Sequence, residues 1–171
     1  METMECLLSR RSCRKYKPDP VPGEIVDKII EAGLYAPSGM GRQSPIVIAV
    51  SDPLMRDSLS RVNAEIMRVA SDPFFGAPTV LVVLAKKDVP TRVYDGSVML
   101  ANMMTAAQDL GLSSCWIHRA KETFERPEGK ALLDRLGIPD EYEGVGNLIL
   151  GYASEEPPAA KARREGRVYK I

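Results

Sequence analysis

Thirteen consecutive residues, 96–108 (GSVMLANMMTAAQ), carry no charged side chain and are dominated by Met, Ala and Leu. These are strong helix formers, so the run reads as a helix apolar on most of its sides. Such a helix belongs at the centre of a fold or at an interface, and the rest of the chain must be organised around it. At 171 residues the chain is of one-domain size and long enough to build a core without disulfides or metals.

The flanking segments alternate between two periodicities. Thr3 is placed to cap a short first helix ending near Arg10, and Pro22 suits the first turn of a second, striped by Ile25, Val26, Ile29, Ile30 and Leu34. Gly33 lies inside that stripe and Pro37 ends it. Ile46 to Val50 is short, apolar and β-branched, as a buried strand is. Asp52-Pro53 then opens an amphipathic helix in which Met55, Leu59, Val62, Ile66 and Val69 share a face. Thr79 to Leu84, Ser114 to Ile117 and Val145 to Leu150 read as further strands. Pro127 to Leu136 reads as a helix closed by Gly137. On periodicity alone this alternation predicts a doubly wound parallel sheet. Yet no GxGxxG joins a strand to a helix and no GxxxxGK[ST] occurs.

Composition removes several function classes. Lys plus Arg equals Asp plus Glu at 23 each, which argues against a general nucleic-acid or acidic-membrane binder. Cys6, Cys13 and Cys115 are odd in number with no CxxC pair, so reduced thiols in a cytoplasmic setting are expected. The start, METMECLLSRR, lacks the apolar core of a secretory signal, and no apolar run reaches membrane-spanning length. With His118 the one histidine and no GxSxG, HExxH zinc chemistry and a serine-histidine hydrolase are excluded. No metal site is expected.

Three segments remain that can carry chemistry. Arg10-Arg11-Ser12-Cys13-Arg14 packs three guanidiniums and a hydroxyl into five residues, a donor set suited to a phosphate monoester. Its plainer reading is a solvated basic turn. Residues 36–45 (APSGMGRQSP) form a loop of small residues against which a planar ligand can lie. Gln43 there offers a donor and an acceptor to a heterocycle edge. A tight helix-to-strand connection uses the same residue types. The tail repeats the basic theme with Lys161, Arg163, Arg164 and Arg167, which alone reads as a charged terminus.

Taken in order, these segments resemble the nitroreductase family of FMN-dependent NAD(P)H oxidoreductases. The resemblance runs nearly end to end. It is carried by RRSCRKYKPDPVP (10–22), APSGMGRQSP (36–45), the apolar helix from Asp95, DLGLSSCWI (109–117), NLILGY (147–152) and the basic tail. It implies an α+β fold, a mixed sheet flanked by helices, in place of the doubly wound sheet. Residues 1–171 would be a single FMN-binding domain that pairs as a homodimer, with the 153–171 tail contacting the partner subunit. Carried over by position, Arg10, Arg11, Ser12 and Arg14 would hold the phosphate end of FMN, with Lys161 and Arg163 returning to it. Pro37, Ser38, Gly39 and Gln43 would lie along the ribityl chain and ring, and Trp116, Ile117 and His118 would approach the ring.

The implied activity is ping-pong hydride transfer from NAD(P)H through flavin N5 to a small electrophilic acceptor such as a nitroaromatic, quinone or enone. No side chain is expected to be an obligatory acid or base; the hard chemistry is the cofactor's. Two departures stand out. Gly41 and Ser44-Pro45 occupy positions where the family usually has Asn and Pro-aromatic, and His118-Arg119 follows CWI where a Gly is common. His118 reads either as a group near the flavin or as a strand-end histidine with ordinary partners. A flavin enzyme needs no thiol, so Cys13 is taken as structural. A non-catalytic or regulatory flavin-binding protein is one alternative, and a flavin-destructase or dehalogenase-like branch of the same fold is another.

Overall fold

The computed structural model describes residues 2–171. Six helices, α1 (Thr3–Ser9), α2 (Gly23–Leu34), α3 (Pro53–Met67), α4 (Arg92–Asp109), α5 (Ala120–Glu125) and α6 (Pro127–Leu136), surround four strands. These are β1 (Ile46–Val50), β2 (Thr79–Lys86), β3 (Ser113–Ile117) and β4 (Tyr142–Gly151). The sheet order is β1-β2-β4-β3 and each neighbouring pair is antiparallel. The doubly wound parallel sheet suggested by periodicity does not form. An isolated parallel bridge, Ser12 to Ser114, adds the N-terminal segment at the β3 edge.

The sheet lies between two helical layers. On one face Val80, Val82, Leu84, Ile117 and Ile149 pack with Leu59 of α3, Phe124 of α5 and Leu132 and Leu133 of α6. On the other, Leu81, Val83, Leu148 and Leu150 pack with Val26 and Ile29 of α2 and Met99, Leu100 and Met103 of α4. This explains the failed parallel expectation. An unbroken apolar strand such as β2 reports that both of its faces are covered, and helices cover both faces here without setting strand direction.

Local signals behave unevenly. Asp52 caps α3 by accepting from the Met55 amide at 2.8 Å, with Pro53 in the first turn. Gly137 closes α6 in the left-handed conformation (φ 67°). Thr3, expected to cap α1, is instead its first residue, and Glu2 occupies the cap position. Pro22 is the cap residue of α2, one position before the first turn. The α3 stripe ends early: Arg68 turns left-handed, leaving Val69 exposed. Among the described residues no helix is long and apolar enough to cross a membrane.

The uncharged run is only half covered. Gly96, Met99, Leu100, Met103 and Ala107 of α4 are buried, whereas Val98 and Ala101 on its other side remain exposed. That open side continues into Val93 and Tyr94.

Candidate functional site

Past Ser9 the chain becomes extended, and Ser12 is laid along β3 by its bridge to Ser114 and by the Cys13 amide, which donates to the Ser114 carbonyl at 3.0 Å. Tyr16 pairs with Ala153 and its hydroxyl donates to the Cys13 carbonyl at 3.0 Å. Burial pushes the Tyr16 phenol far above its usual value, so it stays a neutral donor. The 10–16 segment is thus wedged between β3 and the chain leaving β4.

Its guanidiniums are not all used. Arg11 Nη1 donates to the Leu8 carbonyl at 2.8 Å and to the Arg10 carbonyl at 2.6 Å. Among the described residues, Arg10 Nη1 and Arg11 Nε are buried without a hydrogen-bond partner. A buried, unpaired guanidinium N–H is costly, and an anion placed against it removes that cost. Burial raises the Cys115 thiol, while nearby Arg14, Ser12 and Arg10 act against that rise. Both arginines and the serine therefore act on the same stretch of β3. A cavity of about 210 Å³ lies beside them, lined by Ser12, Cys13, Arg14, Lys15 and residues 155–158. Lys15 pairs with Glu155 across it at 2.9 Å.

The second expected segment is a tightly wound loop. A short 3-10 turn, Gly39–Gly41, leads into Arg42 and Gln43, with positive φ at Met40 (57°), Gly41 (65°) and Gln43 (48°). The Gln43 amide donates to Ser38 Oγ at 2.9 Å. The Gly39 amide donates to Asp95 Oδ1 at 2.9 Å, and the other oxygen of Asp95 accepts from Thr91 Oγ1 at 2.8 Å. A Cβ at Gly39 would come within 2.4 Å of Thr91 Oγ1, so only glycine allows this approach. Pro37, Ser38, Gly41 and Gln43, with residues 34–36, line a cavity of about 450 Å³.

The third lies at the end of β3. Trp116 and His118 share a face, their rings 5.8 Å apart, and Trp116 Nε1 is buried with no hydrogen-bond partner among the described residues. Ile117 points the other way, into the core with α3 and α5. Only its backbone is available to a ligand on the Trp116 face. Sequence reasoning missed what holds this strand end. Asn63 Nδ2 and Asn147 Nδ2 both donate to the His118 carbonyl, at 2.9 and 3.2 Å. Arg119 is left-handed (φ 73°), and its Nε donates to Asn63 Oδ1 at 3.1 Å. These contacts join residues 29 to 56 positions apart in sequence, so no local pattern announces them.

Within one copy, α1, which leads into the arginine segment, and the 36–45 loop are tied near opposite ends of α4. The arginine segment follows α1, which Cys6 Sγ anchors at the Thr105 carbonyl (3.1 Å) near the end of α4. The 36–45 loop is anchored at Asp95, near the start of α4. Ten residues at 1.5 Å each separate these anchors by roughly 15 Å. Lys161 and Arg163 lie in the exposed tail. A further cavity of about 340 Å³, between residues 18–21 and 53–57, contains none of the expected residues.

The sequence profile of the nitroreductase family matches residues 7–74 and 55–152, nearly the whole folded region. The chain belongs to the nitroreductase family. A protein of Archaeoglobus fulgidus designated an NADH dehydrogenase/NAD(P)H nitroreductase is 30% identical over 91% of this chain and 87% of its own length. Its counterpart in Methanothermobacter thermautotrophicus is 29% identical over 92% and 80%. A Bacteroides fragilis nitroreductase, solved with bound FMN, superposes with a TM-score of 0.90 over 100% of this chain and 99% of that one, at 28% identity. The α+β fold implied by the family resemblance is therefore the one observed. In this nitroreductase the arginine segment and the 36–45 loop each have a fixed, tied geometry.

Proposed function

We propose that this nitroreductase binds FMN and oxidises NAD(P)H with it, passing the electrons to a small electrophilic acceptor. The observation that carries the reading is the pair of buried, unpartnered donors at Arg10 Nη1 and Arg11 Nε, beside Ser12 and Arg14. This donor set fits a phosphate monoester, and FMN carries one. FMN, when bound, supplies the hydride chemistry, accepting from NAD(P)H and donating to an acceptor such as a nitroaromatic, quinone or enone in alternation.

The protein's own residues bind and orient. Arg10, Arg11, Ser12 and Arg14 fix the phosphate end. Pro37, Ser38, Gly39 and Gln43 supply a wall of small residues and, at Gln43, a donor and an acceptor for the ring edge. Trp116, the Ile117 backbone and His118 bound the ring from the β3 end. The anchoring of α1 and of the loop near opposite ends of α4 supports a complete site that joins the arginines of one protomer to the loop of its partner, with the 153–171 tail bringing Lys161 and Arg163 to the phosphate. The open side of α4 at Val93, Tyr94, Val98 and Ala101 provides an apolar surface for that pairing.

The deciding experiment is purification without added cofactor, identification of any released ligand, and anaerobic titration with NADH and NADPH. Bound FMN that bleaches with either reductant supports the reading. FMN that binds but does not bleach points to a non-catalytic flavin-binding protein. A chain that takes up no flavin overturns both.

A further inference from the structure

We propose that Asp95 is a positioning residue: through the Gly39 amide its carboxylate sets the conformation in which the 38–43 loop meets the flavin. The inference rests on the flavin reading above and adds to it a residue remote from the arginine cluster.

Asp95 is 5% exposed. Among the described residues no cation pairs with it; its oxygens are taken by the Gly39 amide and the Thr91 hydroxyl. A buried carboxylate without a counter-ion is costly, and these two bonds, with the N-terminal end of α4, are what compensate it. The loop it holds is otherwise tied mainly to itself. The Gly41 amide donates to the Ser38 carbonyl, the Arg42 amide to the Gly39 carbonyl and the Gln43 amide to Ser38 Oγ. Met40 and Gln43 are left-handed without being glycine, a conformation that persists only where the surroundings impose it.

Little of this loop is buried. Met40 is 88% exposed, and Gly41, Arg42 and Gln43 are exposed too. Fixing a strained, exposed loop adds little to the core. It does pre-order the wall of the 450 Å³ cavity formed with residues 34–37, so that a ligand need not pay for ordering it. Asparagine can replace the carboxylate geometrically. Its Oδ1 accepts from Gly39, and its Nδ2 donates to a Thr91 hydroxyl turned to accept.

The test compares wild type, Asp95→Ala, Asp95→Asn and Gly39→Ala by hydrogen exchange of peptides covering 36–45 and by FMN titration. Gly39→Ala is a second route to the same lesion, since its Cβ collides with Thr91 and leaves Asp95 in place. Expected are wild-type protection of 36–45 in Asp95→Asn, with FMN affinity within about 3-fold. Asp95→Ala and Gly39→Ala should lose that protection and weaken FMN by about tenfold or more, with β2 peptides still protected. Unchanged protection in Asp95→Ala overturns the proposal. So does equal damage from Asp95→Asn, which would make charge and not geometry decisive, or loss of protection spread over the whole chain. If wild type takes up no FMN, the functional reading fails, and the exchange data alone still decide whether Asp95 sets the loop.

Discussion

Ser12 forms a parallel bridge with Ser114, fastening the arginine segment to the β3 edge while leaving Arg10 Nη1 and Arg11 Nε buried and unpaired. A backbone held this way costs a ligand little ordering, so on the flavin reading the guanidiniums would carry the recognition of the phosphate. Arg10→Ala combined with Arg11→Ala is expected to weaken FMN about a hundredfold, or ~2.7 kcal/mol. Lys86→Ala is the control: it removes a half-buried cation that pairs with Glu141, and FMN affinity should be unchanged. Riboflavin, lacking the phosphate, should bind the wild type much more weakly than FMN. Equal affinity for the two would remove the phosphate from the argument.

The second expectation concerns assembly. Val98 and Ala101 stand on the open side of α4 beside the exposed Val93 and Tyr94. A glutamate at Val98 or Ala101 leaves the buried side of α4 untouched but places a charge in the proposed apolar interface. Sedimentation should show a dimer for wild type and a shift to monomer for these variants, with FMN lost alongside. A wild-type monomer that retains FMN would mean that one copy holds the whole site.

Acid stability should depend on Asp72. Burial pushes its carboxyl up, but bonds from the Ser60 hydroxyl, the Arg56 guanidinium and the Gly76 and Phe74 amides outweigh that and hold it below the usual carboxylate value. With the folded value below the unfolded one of about 3.9, its stabilisation is fully present above that pH and is lost as pH falls through the lower folded value. Asp72→Asn should therefore lower Tm near neutrality and converge with wild type in acid. Curves that run parallel down to strong acid would exclude Asp72 as the cause.

What could be read from the sequence was local. Ile46 to Val50 is a strand with the expected bounds, because a β-branched run between turn residues has few other options. Pro53 and Gly137 mark helix ends through their own backbone geometry. Strand direction was hidden, since apolar runs record coverage alone. The six-residue α5 was missed because it starts from a left-handed arginine and not from a capping residue. In the site, the arginines and the small-residue loop were visible as composition. Asp95, Asn63 and Asn147 were not, because each matters only through a partner brought close by the fold.

Two helical glycines differ in what they face. A Cβ at Gly33 would meet Met103 Cγ at 2.6 Å, the flexible part of a side chain that can move. One at Gly129 would meet the Thr123 carbonyl oxygen at 2.3 Å, where backbone must shift. Alanine is the better helix former by about 1 kcal/mol, which offsets much of the crowding at Gly33. Gly33→Ala should stay within about 1 kcal/mol of wild type, and Gly129→Ala should lose about 2 kcal/mol or more in thermal or urea unfolding. The reverse order would contradict the packing of α5 on α6.

His118 bears on whether any side chain is needed as an acid or base. It is exposed at the end of β3, and no hydrogen bond reaches its imidazole among the described residues. Its carbonyl, by contrast, is held by Asn63 and Asn147. The fold therefore fixes the backbone at this position and leaves the ring against Trp116, tilted at 33°, with no hydrogen bond to orient it among the described residues. A general acid needs the opposite arrangement, a side chain held within hydrogen-bond reach of the proton it moves. Hydride transfer from nicotinamide to a flavin calls for no side-chain proton, and water can supply the acceptor's proton in an open cleft. His118→Asn should consequently lower turnover by less than about tenfold, or ~1.4 kcal/mol in barrier, between about pH 6 and pH 8. The measurement is stopped-flow flavin reduction together with steady-state turnover over that range. General acid catalysis contributes roughly a hundredfold or more. A loss of that size with FMN still bound, accompanied by a flattened pH profile, would make His118 catalytic.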